Sequence, residues 1–306
     1  MKIVVPGGSG QVGAILRREF DDVVVVSRRG PVGWDQLWRA VDGADVVINL
    51  AGRSVNCRYG PENRAAIMDS RVQTTRTIGE AIAAAAHPPR VWLQASTATI
   101  YADTYGPANN ENGTLGGHEP DVPDTWRFSI DVARAWEQAA LEAQTPGTRL
   151  VLMRSAITMS PDRGGPFDVL LGLVRRGLGG TSGHGRQYVS WVHDEDFGRA
   201  VRWLIEHDDI DGPVNIAAPH PLPNAEFMRE LRAAWGARIG LPATKWMLEA
   251  GAVLMRTETE LVLKSRRVVP GRLLEAGFEF RWPRWPDAAR ELCARWRAGD
   301  RGSSRP

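Results

Sequence analysis

The stretch that decides the fold is KIVVPGGSGQVG, which runs from Lys2 to Gly13. Its apolar start, Lys2 to Pro6, predicts a buried β-strand, and the spacing after it predicts a helix over Gly10 to Phe20. Between them lies the pattern GxxGxxG. Glycine lets the backbone turn tightly and approach a pyrophosphate, whose charge then lies against free N–H groups at the positive end of the helix. A loop with this context is typical of dinucleotide binding.

We therefore predict that the cofactor contacts the loop residues Gly7, Gly10, Gln11, Val12 and Gly13. A glycine-rich turn that only packs a helix on a strand is the alternative. The strand directly before the pattern and the helix directly after it favour the cofactor site.

The end of the second predicted strand, Val23 to Ser27, indicates which dinucleotide is bound. Enzymes that use NAD usually carry an acidic residue there, which holds the ribose hydroxyls. This chain instead has Ser27 followed by Arg28 and Arg29. Guanidinium groups bind phosphate bidentately and stay charged at any working pH, so this pair favours NADP(H) over NAD(H). A pair of solvated arginines is the alternative.

Strand and helix signals alternate along the first half of the chain, which predicts an α/β fold: a Rossmann doubly wound parallel sheet with a smaller, helix-rich C-terminal substrate part. Further strands are predicted at Asp45 to Leu50, Arg90 to Ala95, Arg149 to Arg154 and Val214 to Ala217. Further helices are predicted at Pro61 to Ala86, Ser129 to Ala143 and Asp194 to His207. The segment Asp103 to Trp126 is rich in Gly, Asn, Pro and Asp, which predicts a long loop that forms a lid or a substrate wall.

These elements divide the chain into two parts. We expect a cofactor domain over residues 1–157, rejoined by about 187–217, and a substrate-binding part over 158–186 and 218–300. Residues 301–306 are small and polar, which predicts a disordered tail.

Composition narrows the class of protein. The 306 residues carry a formal net charge of +2, too small for a surface that follows phosphates, so nucleic acid is not an expected partner. Cys57 and Cys293 lack the spacing of a zinc site or a redox pair, and no metal site is predicted. No apolar run approaches the ~20 residues needed to cross a bilayer. We expect a cytoplasmic protein with a small-molecule substrate and no membrane partner, either a monomer or a homodimer.

Longer motifs extend this interpretation over nearly the whole chain. They are VINLAG from Val47, DSRV from Asp69, STATIYA from Ser96, GLGGTSGHGRQYVSWVHDEDFGRA from Gly177, GPVNIAAP from Gly212 and RRVVPGRLLEAGFEF from Arg266. With these motifs the chain resembles the atypical or extended short-chain dehydrogenases/reductases of the NAD-dependent epimerase/dehydratase group. More narrowly, it resembles the SulA-like epimerase branch, which ends in a C-terminal domain of unknown function.

The resemblance implies roles for particular residues. The implied cofactor contacts are Leu50, Ala51, Gly52, Arg71, Ala95, Ser96, Arg154 and Ser155. Thr97 takes the place of the catalytic Ser or Thr of the group. Arg186 takes the place of a residue that often meets substrate phosphate in sugar-nucleotide relatives.

One departure from the group concerns the acid/base pair, a Tyr followed four residues later by a Lys. Anchored on Glu137, the two positions fall on Ser129 and Ala133, and neither exchanges a proton as a phenol beside a lysine does. Tyr101 is the phenol nearest to Thr97 in the sequence and is a candidate for the missing acid. Packing at the end of the strand is its alternative role.

Three functions therefore remain open. The first is an NADPH-dependent oxidoreductase that reduces a carbonyl or an activated double bond of a small metabolite, hydrophobic ones included. The second is an NADP-dependent epimerase, which oxidises and re-reduces one carbon. The third is a non-catalytic cofactor-binding sensor or scaffold, which the missing pair would permit.

Overall fold

The computed structural model describes residues 1–243 and 260–303. Its central element is a six-stranded sheet in which all neighbouring strands are parallel. The strands are β1 (Ile3–Pro6), β2 (Val23–Val26), β3 (Val46–Asn49), β4 (Val91–Thr97), β5 (Arg149–Ser155) and β9 (Gly212–Ile216). They lie in the order β2-β1-β3-β4-β5-β9. The predicted Rossmann sheet is confirmed, and β9 returns the chain to it.

Ten helices accompany the sheet in the described part of the chain. They are α1 (Gln11–Glu19), α2 (Leu37–Val41), α3 (Pro61–Ala83), α4 (Asp124–Leu141), α5 (Pro166–Arg175), α6 (Asp194–Glu206), α7 (Asn224–Trp235), α8 (Glu260–Leu263), α9 (Gly271–Glu275) and α10 (Trp285–Ser303). Two short strand pairs lie outside the main sheet. The strand β6 (Ile157–Met159) runs parallel to β8 (Trp191–His193), and β7 (Tyr188–Val189) runs antiparallel to β10 (Leu222–Pro223).

Both faces of the sheet are buried, because parallel strands joined by helical crossovers are covered on each side. On one face, Ile3 and Val5 of β1 share a core with Leu16 of α1 and residues of α6. On the other face, Val4 packs in a core that includes residues of α2, α3 and α4, such as Ile78. The alternation along β1 therefore places helices on both faces of the sheet.

The C-terminal part has an aromatic core of its own. Phe227 of α7 and Trp285 of α10 stack with ring centroids 4.0 Å apart, and Trp191 packs against Trp285 edge to face. Trp191 and Trp285 are fully buried. These two tryptophans therefore belong to the core of the C-terminal part.

The helix predicted from Ser129 begins five residues earlier, at Asp124, so Trp126 lies in α4 and not in the preceding loop. Pro123 precedes the helix and Asp124 occupies its first turn, and both residue types favour a helix N-terminus. Of the predicted tail, residues 301–303 form the end of α10, and residues 304–306 lie outside the described part of the chain.

The long loop before α4 is tied to the C-terminal part. The Asn109 N–H donates to Arg267 O at 2.7 Å, and the Val269 N–H donates to Asn109 O at 2.9 Å. Nearer its start, Asp103 accepts a hydrogen bond of 2.6 Å from the Ser265 N–H. The loop is therefore held against the C-terminal part by these backbone hydrogen bonds. None of the described helices combines the length and apolar character that crossing a bilayer requires.

Candidate active site

The site lies at the carboxyl edge of the sheet, where the chain reverses direction. It passes from β1 to β2 on one side and then crosses to β3 on the other, which opens a crevice between the ends of β1 and β3. A groove of about 380 Å³ lies along this edge. Its walls are formed by Gly7, Ser9, Gly10, Gln11, Val12, Gly13, Leu50, Gly52, Ala95, Ser96, Trp136, Met153, Ser155 and Phe197.

Two of the loop glycines are required by close backbone contacts. Gly7 has a φ of +78°, and a Cβ there would lie 2.5 Å from the Cα of Ala51. A Cβ on Gly13 would lie only 2.0 Å from the carbonyl oxygen of Gly8. At Gly10, by contrast, a Cβ would meet no protein atom within 4 Å. The outer glycines therefore shape the loop, and Gly10 leaves room for a ligand.

Two observations show that the loop fits an anionic group. Gly10 caps α1 without a side-chain hydrogen bond, so the first N–H groups of this nine-residue helix remain available to an anion. The Nε2 of Gln11 is buried and has no hydrogen-bond partner within the described residues. Because buried polar groups are normally paired, this amide suits a ligand oxygen. The loop therefore fits the pyrophosphate of a dinucleotide.

A pocket of about 540 Å³ adjoins the loop and is formed by Ser9, Ser27, Arg28 and Arg29. Both arginine side chains are exposed. Neither forms an ion pair with an acidic residue of ranges 1–243 and 260–303. Two unpaired guanidinium groups beside the buried Ser27 form a pocket for a phosphate monoester.

The remaining predicted cofactor residues occupy three different positions. Leu50, Gly52, Ala95, Ser96 and Ser155 line the groove. The backbone of Ala51 packs closely against Gly7. Arg71 lies beside Gly52, with its guanidinium 5.0 Å from the centre of the Trp136 ring, and burial lowers its pKa to about 10.

Arg154 differs from its predicted role, because it lies in a buried network and not on the groove wall. Its guanidinium grips Glu137 with two hydrogen bonds of 2.8 Å, and Ser96 Oγ donates to the same carboxylate at 2.5 Å. Burial disfavours the charge of Arg154, but the hydrogen bonds and charge of Glu137 raise its pKa. Glu137 thereby holds the Ser96 hydroxyl at the groove wall, and Arg154 in turn holds Glu137.

Tyr101 belongs to the same network. Its hydroxyl donates to Asn215 at 2.8 Å and accepts from Arg154 at 3.0 Å. The residue is 1% exposed and lies on the wall of neither the groove nor the cavity beside Thr97. Burial raises the pKa of the phenol. This position fits the packing role at the end of β4.

A smaller cavity of about 150 Å³ adjoins the groove, with Trp136 on the wall of both. Thr97 opens into this cavity, where its Oγ1 accepts a hydrogen bond of 3.2 Å from the Thr99 N–H. Ser129 and Ala133, the two positions of the missing acid/base pair, line the same cavity. The remaining walls are formed by Val55, Tyr59, Ile67, Arg71, Thr99, Phe128, Val132 and Glu260. We call this space the inner cavity.

Arg186 lies elsewhere, in an open cleft of about 1000 Å³. There the Tyr105 hydroxyl and the His184 Nε2 are 3.1 Å apart. Arg229 and Arg232 line the same cleft, together with Glu226, which pairs with Arg229 at 3.4 Å. The structure thus separates Arg186 from Thr97 by placing them in different cavities.

Several residues of the site were not predicted from the sequence. Ser9 lies between the first and second glycines of the GxxGxxG pattern and was detectable from the motif alone. Trp136 falls within the helix predicted over Ser129 to Ala143, and its place on the groove wall follows from the packing of α4. Glu260 had no sequence signal, because it lies 131 residues from Ser129, which it meets in the inner cavity.

Comparison with known proteins gives a consistent result. Residues 3–217 match the model of the NAD dependent epimerase/dehydratase family, and residues 243–292 match a domain of unknown function, DUF1731. The human epimerase family protein SDR39U1 is 29% identical over 96% of this chain and 100% of its own. An epimerase family protein of Mycobacterium tuberculosis, MT2273, is 31% identical over 91% of this chain and 93% of its own.

Solved structures agree with the sequence matches. The crystal structure of human SDR39U1 (isoform 2) with NADPH has a TM-score of 0.87 and 28% identity, covering 96% of this chain and 99% of that one. A nucleoside-diphosphate sugar epimerase from Corynebacterium glutamicum has a TM-score of 0.75 and 27% identity, covering 96% of this chain and 58% of that one.

Proposed function

This chain belongs to the NAD-dependent epimerase/dehydratase family, and from that premise we propose that it is an NADPH-dependent oxidoreductase. Its substrate would be a small metabolite with a carbonyl or an activated double bond. Hydrophobic metabolites belong to this class. The observation that carries the proposal is the continuity of the site. A phosphate loop, an arginine pocket and the groove lead to the inner cavity, where Thr97 lies.

The cofactor assignment rests on the two anion-binding features. The loop around Gly10 and the unpaired Gln11 amide suit the pyrophosphate, and Arg28 with Arg29 suits the 2′-phosphate that distinguishes NADP from NAD. The human relative SDR39U1 was crystallised with NADPH, which supports the same choice here. When bound, NADPH would supply a hydride to the substrate carbon and leave as NADP⁺.

The residues of the chain then have to orient the substrate and provide a proton. The hydroxyl of Thr97 accepts from the Thr99 N–H, so its own proton is free to point into the inner cavity. A hydroxyl aimed at the substrate oxygen stabilises the negative charge that develops there during hydride transfer. Trp136 borders both the groove and the inner cavity, so the substrate would meet the cofactor where the two spaces join.

An NADP-dependent epimerase is the second candidate. The relatives are named epimerase family proteins, and one similar structure is a nucleoside-diphosphate sugar epimerase. The cleft around Arg186 carries the positive charge that a substrate phosphate requires. An epimerase oxidises and re-reduces the same carbon, so it changes stereochemistry without net consumption of NADPH.

A screen with four carbonyl probes tests the proposal: benzaldehyde, cyclohexanone, 2-cyclohexenone and 9,10-phenanthrenequinone. The absorbance of reduced nicotinamide is followed at saturating NADPH, with calorimetry as an independent measure of cofactor binding. Oxidation of NADPH with at least one probe is the expected result. Tight NADPH binding without oxidation of any probe would argue against a reductase. Stereochemical inversion of a sugar nucleotide at constant NADPH would then favour the epimerase.

A further inference from the structure

The inner cavity contains a proton-accepting group where the family's Tyr/Lys pair is missing. The Ser129 hydroxyl, at the position of the missing tyrosine, donates a short hydrogen bond to Oε2 of Glu260. Glu260 begins α8, in the C-terminal part of the chain, and both side chains line the inner cavity together with Thr97. A hydroxyl bonded to a carboxylate thus faces the same space as the residue proposed to hold the substrate oxygen.

The carboxylate is held in one orientation. Glu260 is 1% exposed, and its other oxygen, Oε1, accepts from Arg266 Nη2 at 3.1 Å. Arg266 Nε in turn donates to Thr99 Oγ1 at 3.1 Å. Because the guanidinium holds Oε1, Oε2 is left for Ser129, and the pair is anchored to the turn that follows β4.

The neighbouring charges keep this arrangement close to electrical balance. Lys264 Nζ donates to Thr99 O at 2.7 Å, and burial, with the charge of Arg266, lowers the pKa of Lys264 to about 8. Asp103, Glu119 and Glu260 act in the opposite direction on the same lysine. Two cations, Lys264 and Arg266, therefore lie among three carboxylates, so the charge of Glu260 is not isolated among these groups.

We propose that Ser129 is a catalytic residue that exchanges a proton with the substrate oxygen, and that Glu260 positions its hydroxyl and stores the proton. This inference rests on the proposed function. In reduction, the Glu260 carboxylate first takes up a proton from water. Ser129 Oγ then gives its proton to the substrate oxygen as that oxygen gains charge, and takes the proton of the Glu260 carboxyl. The substrate gains an O–H bond, and Glu260 returns to the carboxylate form. Oxidation follows the same path in reverse, with the carboxylate as base.

Four variants test this assignment, with turnover measured on the probe that the wild type reduces fastest. Ser129→Ala removes the hydroxyl but keeps the ion pair between Glu260 and Arg266, and Glu260→Gln removes the proton store. Each should lower kcat by about 10²-fold, the scale of general acid–base catalysis, with KM and NADPH affinity nearly unchanged. Ser129→Thr keeps a hydroxyl and should retain most of the wild-type rate. Glu291→Gln is the matched control, since Glu291 is also paired with an arginine, Arg295, but lies outside both cavities; its rate should not change.

Two further measurements separate proton transfer from a structural effect. The double variant Ser129→Ala/Glu260→Gln should be no slower than the slower single variant, because residues on one path are not additive. In cofactor-free protein, infrared spectroscopy should show a carboxylate band that shifts on Ser129→Ala and is lost in Glu260→Gln. That band reports the hydrogen bond without any turnover.

The outcomes distinguish the two proposals. Wild-type turnover with undiminished rates in Ser129→Ala and Glu260→Gln would overturn the proton path and leave the reductase standing. Additive losses in the double variant, or a carboxylate band that Ser129→Ala does not move, would overturn it as well. If the wild type binds NADPH but turns over none of the four probes, the proposed reductase function is refuted. The proton path is then refuted with it, because it acts only in that reaction.

Discussion

Exchanging the loop glycines for alanine separates the residues that shape the phosphate loop from the one that admits the ligand. In Gly13→Ala the new methyl group would lie 2.0 Å from Gly8 O and 2.4 Å from Gly8 C. Both are backbone atoms, so no side-chain rotation relieves the clash and the loop itself has to move. Overpacking against well-ordered structure costs about 1–3 kcal/mol, and we expect the upper end here, about 3 kcal/mol of unfolding free energy.

Gly10→Ala is the matched comparison, with the same substitution in the same loop. A Cβ at Gly10 meets no protein atom within 4 Å, and its backbone, with φ −87° and ψ −173°, is open to alanine. The cofactor-free protein should therefore keep its stability. The methyl group would instead occupy the space through which the backbone approaches the pyrophosphate. We expect NADPH affinity to fall at least about tenfold, or about 1.4 kcal/mol.

Chemical denaturation of the cofactor-free protein and calorimetric titration with NADPH measure the two effects independently. The expected pattern is loss of both stability and affinity in Gly13→Ala, and loss of affinity alone in Gly10→Ala. Equal stability losses in the two variants would show that the contact with Gly8 is not what requires glycine. Unchanged NADPH affinity in Gly10→Ala would place the pyrophosphate away from the loop.

Three further predictions concern the cofactor and the chemistry. Arg28→Ala should weaken NADPH binding by about 1.5–3 kcal/mol, the scale of a charge-assisted hydrogen bond, and leave NADH nearly unchanged; equal calorimetric affinities of the wild type for both cofactors would contradict this. Thr97→Val removes a hydroxyl at nearly constant volume and should lower turnover of a carbonyl probe by roughly 10²-fold with NADPH affinity intact. A normal rate would move the chemistry away from the end of β4. Ser129→Tyr combined with Ala133→Lys restores the family pair formally but displaces the hydroxyl that meets Glu260, so steady-state turnover should not rise. A faster double variant would show that the site still works with the family pair.

The sequence predicted the cofactor half of the site because its signals are local. The strand, the glycine spacing and the helix of residues 2–20 are consecutive, and each follows from short-range sterics and apolar periodicity. Arg28 and Arg29 lie two and three residues after the end of β2, so their position follows from that of the strand. Local signals are less reliable for an arginine or a tyrosine near the end of a strand, because such a residue can either line a site or pack in the core. Arg154 lies within β5 and Tyr101 lies four residues after the end of β4, and only packing decides that both side chains enter a buried network around Glu137.

By itself, then, the sequence determined the parallel sheet, the position of the phosphate loop and the absence of a Tyr/Lys pair, since each depends on residues close together in the chain. Only the tertiary structure decided which groups lie beside Ser129 and Ala133, the two positions of the missing Tyr/Lys pair. Glu260 contacts Ser129 although the two lie 131 residues apart in the chain. Arg266 and Lys264 hydrogen-bond to Thr99, in the turn after β4, and this fixes the position of the neighbouring α8. Such a contact leaves no periodic or spacing signal, because it arises from hydrogen bonds between distant segments, and these bonds form only when the C-terminal part packs against the sheet.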